Sequence, residues 1–469
     1  MRAFWTLIHR YAGLLIAGFL FVSGVTGAII SWDHELDDVL NPHLMETRSA
    51  GTPQASLALV RQVEARYPLV RVTYVPLHPQ AGKSLVLGVS PRVDPATGKL
   101  AEPGFNQLFI DPVTGAELGR REWGVAWPIT RETLVSFLYR LHYTLHIPEL
   151  WGIDRWGIWL MGVIGMIWMV DSFVGFYLTL PVRRRKLGLA GSADDKLADN
   201  PAAATDNPPV PAGKSWWRRW QPAWKVRWRG GAAKLNFDLH RAFSLWTWLL
   251  LFILAFTAFS LNLYNEIFYP VMKTVSQVTP SPFDTRAPND RHKPVAPRLD
   301  FADMAHRAGA EASRRQWADP AGGIFYAQDF GIYGVSFFKP GEDHGAGGVG
   351  PAVLYYDGVD GRLLGERQPW KGTAADIFVQ AQFPLHSGRI LGLPGRILIS
   401  FMGVVVAMLS VTGVVIWWRK RASRAVAARR QAAQGDARSA RSDALSAAQG
   451  DAAGARGNAG GLDVRVRRT

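Results

Sequence analysis

Histidine is the residue type whose placement in this chain could do chemistry. Of the 11 histidines, five border long apolar stretches. His9 and His240 stand at the start of two such stretches, and His146 and His386 precede two others, with His142 four residues before His146. Neutral imidazoles on facing helices can clamp a haem iron from both sides or ligate a bare transition metal. The chain has no cysteine, which excludes disulfides, thiolate iron–sulfur clusters and covalent haem attachment. Any haem here must be of the non-covalent b type.

A lone histidine at a helix end reads more readily as an interfacial residue. Pairing changes that weighing, because His9-Arg10 is matched by His240-Arg241 and Leu145-His146 by Leu385-His386. The expectation is two haems, one between His9 and His240 and one between His386 and either His146 or His142. The six-residue step from His146 to Gly152, repeated from His386 to Gly392, favours His146. The spacing of His142 and His146 puts both on one face of a helix and would also suit a metal without haem, although no acid adjoins them. His34, His43, His78, His292, His306 and His344 fall in the connecting regions and take no assigned role.

Charged residues near these histidines could serve a haem. Arg140, Arg155, Arg389 and Arg396 lie at the outer ends of the apolar stretches, where something anionic must hold them: haem propionates, an anionic substrate or phospholipid headgroups. Arg10 and Arg241 are explained as well by topology alone. Asp171 is the one acid inside an apolar stretch, placed either to orient a ligand imidazole, to carry a proton, or to cap a neighbouring polar group.

The elements that must position these residues are membrane helices. Only 19% of the residues are charged against 48% apolar, and four stretches are each long enough to cross a hydrocarbon core of about 30 Å. They run from Tyr11 to Trp32, from Trp156 to Val170 with a continuation to Val182, from Ala242 to Asn265, and from Ile397 to Trp418. The first resembles a signal peptide but is too long and lacks a clear cleavage site, so it is expected to be retained. The net charge of +15 does not point to nucleic acid, because the basic residues cluster beside the apolar stretches: Arg183 to Lys186, Arg218 to Arg241, and Arg419 to Arg430. By the positive-inside rule these clusters are cytoplasmic, which puts both termini inside and the two long connections outside.

The chain also repeats itself. Ile8-His9-Arg10-Tyr11-Ala12-Gly13-Leu14 is answered by Leu239-His240-Arg241-Ala242-Phe243-Ser244-Leu245, and the Asp111-to-Arg121 segment by Asp357 to Arg367. The repeated unit is helix, outer domain, histidine, helix. The expected fold is therefore membrane α-helical, four transmembrane helices in two repeats, with two small α+β domains. Its boundaries are helix 1 at 1–32, outer domain 1 at 33–140, helix 2 with its histidine segment at 141–182, and a basic linker at 183–239. Helix 3 follows at 240–266, outer domain 2 at 267–385, helix 4 at 386–418, and a disordered tail at 419–469. Each outer domain is expected to hold one helix and three strands. In the first these are Ser56 to Tyr67, then Val70 to Val75, Ser84 to Val89 and Gln107 to Asp111. In the second they are Phe301 to Arg315, then Ile324 to Ala327, Gly334 to Phe338 and Ala352 to Tyr356. Residues Gly188 to Lys214 read as a flexible linker. The Trp216-Trp217-Arg218-Arg219-Trp220 and Trp224-to-Arg229 stretches read as an interfacial anchor, with a docking surface for an electron donor as the sharper reading.

Four stretches, Ile8-His9-Arg10 to Leu14, Leu141-His142-Tyr143-Thr144-Leu145-His146-Ile147-Pro148, Asp171-Ser172-Phe173-Val174-Gly175-Phe176-Tyr177-Leu178-Thr179-Leu180-Pro181 and Asp238-Leu239-His240-Arg241-Ala242, carry a family resemblance. The chain up to Arg419 resembles the PepSY-associated transmembrane proteins, which include iron-regulated inner-membrane proteins and ferric-siderophore reductases, and it looks most like the ferrioxamine-reductase type. The resemblance implies two b-type haems, PepSY-like periplasmic domains and an inner-membrane location. Some relatives carry a fused flavin reductase domain; no strand–helix alternation or G-x-G-x-x-G follows Arg419, so the electron donor is expected to be separate.

The expected function is a di-haem reductase that takes electrons from a cytoplasmic donor or the quinol pool and reduces a ferric siderophore, of hydroxamate type, in the periplasm. Two alternatives stand beside it. One is a non-catalytic PepSY protein that binds a periplasmic peptide or peptidase. The other is a haem electron-transfer subunit for a different periplasmic oxidoreductase.

Overall fold

The computed structural model describes residues 1–182 and 215–457, with side chains to residue 441; the basic run 183–186 and the expected linker 188–214 lie outside the described residues. Helix α1 (Arg2–Ile30) begins well before Tyr11. The Arg2 guanidinium donates to the carbonyls of Leu178 and Leu180, at 3.0 Å for the latter, and so caps the end of α6 (Trp156–Thr179). The fourth long helix is α14 (Gly392–Gly457).

The third apolar stretch is not one helix. It is α8 (Ala232–Trp246) followed by α9 (Trp248–Asn262), bent by 73° at Thr247. The Thr247 hydroxyl bonds back to the Phe243 carbonyl at 2.7 Å, and the flanking indoles pull apart. Trp246 Nε1 donates to Trp224 O at 3.2 Å and Trp248 Nε1 to Ser172 O at 3.1 Å. Among the described residues three helices are thus long and apolar enough to cross a membrane, and the bent pair makes four if counted as one span.

Small residues let these helices approach closely, as membrane helices must when lipid competes for apolar contact. A Cβ added at Gly24 of α1 would lie 2.6 Å from the Gly403 carbonyl of α14, and one at Gly403 would lie 2.5 Å from the Gly24 carbonyl. Gly165 plays the same part between α6 and α9, 2.9 Å from Phe259 N. Leu251, Leu254, Met402, Val405 and Val406 fill the centre of the bundle.

The helix of the first α+β unit is α4 (Ser56–Arg66), followed by β1 (Val70–Pro76), β2 (Leu85–Pro91), β3 (Gln107–Ile110) and β4 (Glu117–Arg121). The second unit has α12 (Phe301–Arg314), β5 (Ala321–Ala327), β6 (Ile332–Phe337), β7 (Ala352–Asp357) and β8 (Leu363–Arg367). Each unit has a fourth strand beyond the three expected; β4 (ELGRR) and β8 (LLGER) are charged and lack clean alternation because they form the edges of the sheet. The two units are not separate domains. They share one antiparallel sheet in the order β4-β3-β2-β1-β5-β6-β7-β8, joined where Tyr74, Val75 and Pro76 pair with Phe325, Ile324 and Gly323. One continuous core, including Leu59, Val72, Leu87, Met304, Ile324 and Leu354, lies between the sheet and its two helices.

The repeated Asp-x-x-x-Gly motif makes the same turn twice. Asp111 accepts from the N–H groups of Val113 and Thr114, and Asp357 from those of Val359 and Asp360. Burial alone would raise the Asp111 carboxyl, but the Ser49 hydroxyl and these N–H donors outweigh it and hold the group below the usual carboxylate range.

The expected disorder after Arg419 is not what the structure has, since α14 continues as helix to Gly457. The segment is dominated by Ala and Arg, which have high helix propensity, and its described side chains to residue 441 are exposed.

Candidate functional site

Four histidines converge in two pairs. His9 on α1 faces His240 on α8 with ring centres 6.3 Å apart, and His142 on α5 (Leu134–Thr144) faces His386 on α13 (Ala374–Ser387) at 6.0 Å. A metal held between two imidazole nitrogens on its opposite sides, at about 2 Å each, sets those nitrogens about 4 Å apart. Each ring centre lies about 1 Å behind its nitrogen, so such ligation asks for centres about 6 Å apart. Both pairs meet that spacing.

The hydrogen bonds behind the rings fix which nitrogen faces the gap. His9 Nδ1 lies 3.0 Å from both carboxylate oxygens of Asp171 on α6. His240 Nδ1 lies 3.1 Å from the Leu409 carbonyl and 3.0 Å from the Thr412 hydroxyl on α14. His142 Nδ1 meets the Thr26 hydroxyl of α1 at 3.1 Å, and His386 Nδ1 meets the Thr257 hydroxyl of α9 at 2.9 Å. Carboxylate and carbonyl oxygens only accept. The Thr26, Thr257 and Thr412 hydroxyls already donate to the carbonyls of Val22, Ile253 and Met408. Each Nδ1 therefore carries the proton, and each Nε2 keeps a free lone pair. None of these four Nε2 atoms is hydrogen-bonded among the described residues.

Room for the rings comes from glycine. A Cβ at Gly175 would lie 3.3 Å from His9 Cε1, one at Gly413 would lie 3.2 Å from His240 Cε1, and one at Gly27 would lie 2.9 Å from His142 Cε1. The repeat is visible in this scaffolding. Thr26 and Thr257 each follow the first histidine of their half by 17 residues (26 − 9 and 257 − 240). Asp171 and Leu409 each precede the cradling glycine by four (175 − 171 and 413 − 409). The carboxylate thus occurs in one half only.

His146 is not part of either pair. Helix α5 ends at Thr144, and Leu145 and His146 take left-handed backbone angles, φ 55° and 52°, so the same-face spacing from His142 is broken by the end of the helix. The His146 ring turns back, stacks on Phe137 at 4.6 Å and donates from Nε2 to the Phe137 carbonyl at 2.9 Å. His142 stands opposite His386 instead, and the matching six-residue steps to Gly152 and Gly392 do not align the two halves.

A cavity of about 560 Å³, largely apolar, surrounds the His142/His386 pair, within the range of about 300–1,000 Å³ usual for small-ligand sites. Leu20, Ile164, Trp168 and Leu254 line its interior, and Tyr139, Tyr143, Asp33, His34 and Arg389 line its polar part. The arginines divide. Arg155 pairs with Glu266 at 2.8 Å, Arg396 with Glu35 at 2.7 Å and Arg241 with Asp238 at 2.9 Å, so protein carboxylates explain them. Arg389 makes only a 3.5 Å contact with Asp33. Arg10 and Arg140 have no ion-pair partner among the described residues, and Arg140 Nε is buried without a hydrogen bond. The three threonines and the cradling glycines went unread at the sequence level; the shared 17-residue step was the signal that could have found the first two.

Fold and site together define a membrane protein built from a duplicated helix–domain–histidine–helix unit, with two imidazole pairs held between the halves. The chain belongs to the family described as the PepSY-associated TM region, whose model matches residues 6–420. No curated protein matches it.

Proposed function

We propose that this protein is a di-haem b-type electron carrier of the bacterial inner membrane that reduces ferric siderophores on the outer side. The observation that carries the reading is the pair of gaps about 6 Å between ring centres, each flanked by two free Nε2 lone pairs. Among the described residues no cluster of three histidine or acidic side chains is set to hold a metal ion, so each gap offers two imidazoles, the number that a six-coordinate haem iron takes from the protein. Bound there, a haem would supply one-electron chemistry between its ferric and ferrous states.

His9 and His240 would hold the first group and His142 and His386 the second. Asp171 orients His9 and enriches its imidazole, while Thr26, Thr257 and Thr412 fix the other tautomers. Arg389, which lines the cavity, would receive carboxylates at the second site, whereas Arg140 lies against Gly124 and outside the cavity lining. Along α1, His9 and Thr26 are separated by 17 residues, about 25 Å at about 1.5 Å per residue, so the two pairs stand near opposite faces of a core about 30 Å thick. The basic Trp216-to-Arg229 segment sits beside the His9/His240 end. By the positive-inside rule that end is cytoplasmic and the sheet is periplasmic. Electrons would come from a cytoplasmic donor or quinol. One electron delivered to an Fe(III) hydroxamate weakens its hold on the metal, because Fe(II) binds hard oxygen ligands less tightly.

The test is the visible spectrum of the detergent-purified protein, oxidised and reduced, with haem counted per chain. Two six-coordinate b-type haems are expected. His240→Ala and His142→Ala should each lose one haem and abolish ferric-siderophore reduction, whereas His146→Ala should keep both. A colourless protein would favour the reading in which the sheet unit binds a peptide partner, and a red protein that leaves ferric siderophores untouched would favour a subunit serving another oxidoreductase.

A further inference from the structure

The polar mouth of the His142/His386 cavity brings together two more histidines from opposite halves of the chain. His34, in α2 (Asp33–Leu40), lines the cavity, and its ring centre lies 5.1 Å from that of His344 with the planes 61° apart, a spacing that suits adjacent rather than opposite positions on one ion. His344 Nδ1 donates to Asp343 Oδ1 at 2.7 Å, which leaves its Nε2 as the free nitrogen. A carboxylate behind an imidazole, with the other ring nitrogen free, is the usual support of a metal-binding histidine.

The two rings are tied to the second cofactor pair rather than loose on a loop. Asp33, beside His34, contacts Arg389, three residues after His386. Gly348, in the loop that carries His344, abuts Arg389, so a side chain there would not fit. Trp370 Nε1 donates to Ala346 O at 2.7 Å, and Gly350 N donates to His344 O at 2.7 Å, holding the loop against the mouth.

We propose that His34 and His344 form an open docking site for a divalent first-row metal ion, iron(II) in function, at the mouth of the cavity, with Asp343 orienting His344. This rests on the reductase reading above and extends it to the product. Imidazole suits divalent iron, whereas hydroxamate oxygens suit the trivalent ion, so the site gains the metal as its first ligands lose it. No third histidine or acidic ligand completes the set among the described residues. Two ligands leave the other positions to water or to the departing siderophore, which fits exchange rather than storage.

Co(II) binding to the full-length purified protein tests this, by equilibrium dialysis and by the visible bands of imidazole-bound cobalt. The parent should bind one more Co(II) per chain than His34→Ala, His34→Gln or His344→Ala. Asp343→Asn should keep the stoichiometry with affinity about tenfold weaker, and His78→Ala should match the parent. Equal cobalt counts in the parent and all three histidine variants would overturn the proposal. Haem spectra of the same samples separate the two readings. Absent haem ends the reductase reading while the cobalt difference still decides this one, and normal haem with no cobalt difference sinks only the docking site.

Discussion

Each of the four inward-facing rings has its Nδ1 proton committed to an oxygen on a neighbouring helix, and the nature of that oxygen differs between sites. Asp171 gives His9 a charged acceptor, while the other rings lean on hydroxyls or a carbonyl. A carboxylate draws the ring toward imidazolate character and stabilises the higher oxidation state of a bound iron. If the proposed haems are bound, Asp171→Asn is therefore expected to raise the midpoint potential of one and leave the other unchanged, with affinity at the altered site about 10–100-fold weaker. A redox titration followed by absorbance checks both, and two unshifted components would remove Asp171 from this role. Residue types and pairing made His9, His240 and His386 legible in the sequence. The choice of His142 over His146 was not, because it depends on where α5 ends, and two left-handed residues at that end leave no periodic mark.

Helix contacts decide whether those rings have room. Gly27 lets His142 lie against α1, and a branched side chain there has nowhere to go except into the ring. On the proposed di-haem reading, Gly27→Val should lose the haem at the His142/His386 pair and keep that at His9/His240, with overpacking costing about 1–3 kcal/mol of stability; retention of both haems would show that the ring can shift without loss. At the sheet end, Arg396 at the start of α14 is tied to Glu35 of α2, and hydrogen bonds from Arg396 hold the Glu35 carboxyl down from 4.5 to about 2. A carboxyl lowered in the folded state adds stability above its unfolded value of 4.5, and that stability is lost as pH falls toward about 2. The contribution is small, because the Glu35 side chain is half exposed. The drop in melting temperature between pH 5 and pH 3 should accordingly be smaller in Glu35→Gln than in the parent. Helix existence was legible from apolar length alone. The bend at Thr247 was not, since it comes from two indoles finding carbonyls on other elements.

At the scale of the whole molecule the duplication produces one body rather than two. The repeat was readable from paired motifs, and the strands from their apolar runs, but the joining of two sheets into one depends on pairing between edges more than 200 residues apart, which no local pattern encodes. That seam fixes the two halves relative to each other above the site, as the Gly24/Gly403 contact fixes them within the membrane, and both imidazole pairs are formed across the same division. The joint is three residue pairs long, so it can be tested by a covalent link. The chain has no cysteine of its own, and directly opposed residues on antiparallel strands lie about 4.5–5.5 Å apart between Cα atoms, within disulfide range. Tyr74→Cys with Phe325→Cys should oxidise to an internal disulfide. After cleavage at a protease site inserted between α6 and α7 (Trp216–Trp220), the two halves should run as one band without reductant and as two with it. Separation of the halves without reductant would mean that β1 and β5 are not neighbours, and the common frame for the two imidazole pairs would then rest on the membrane helices alone.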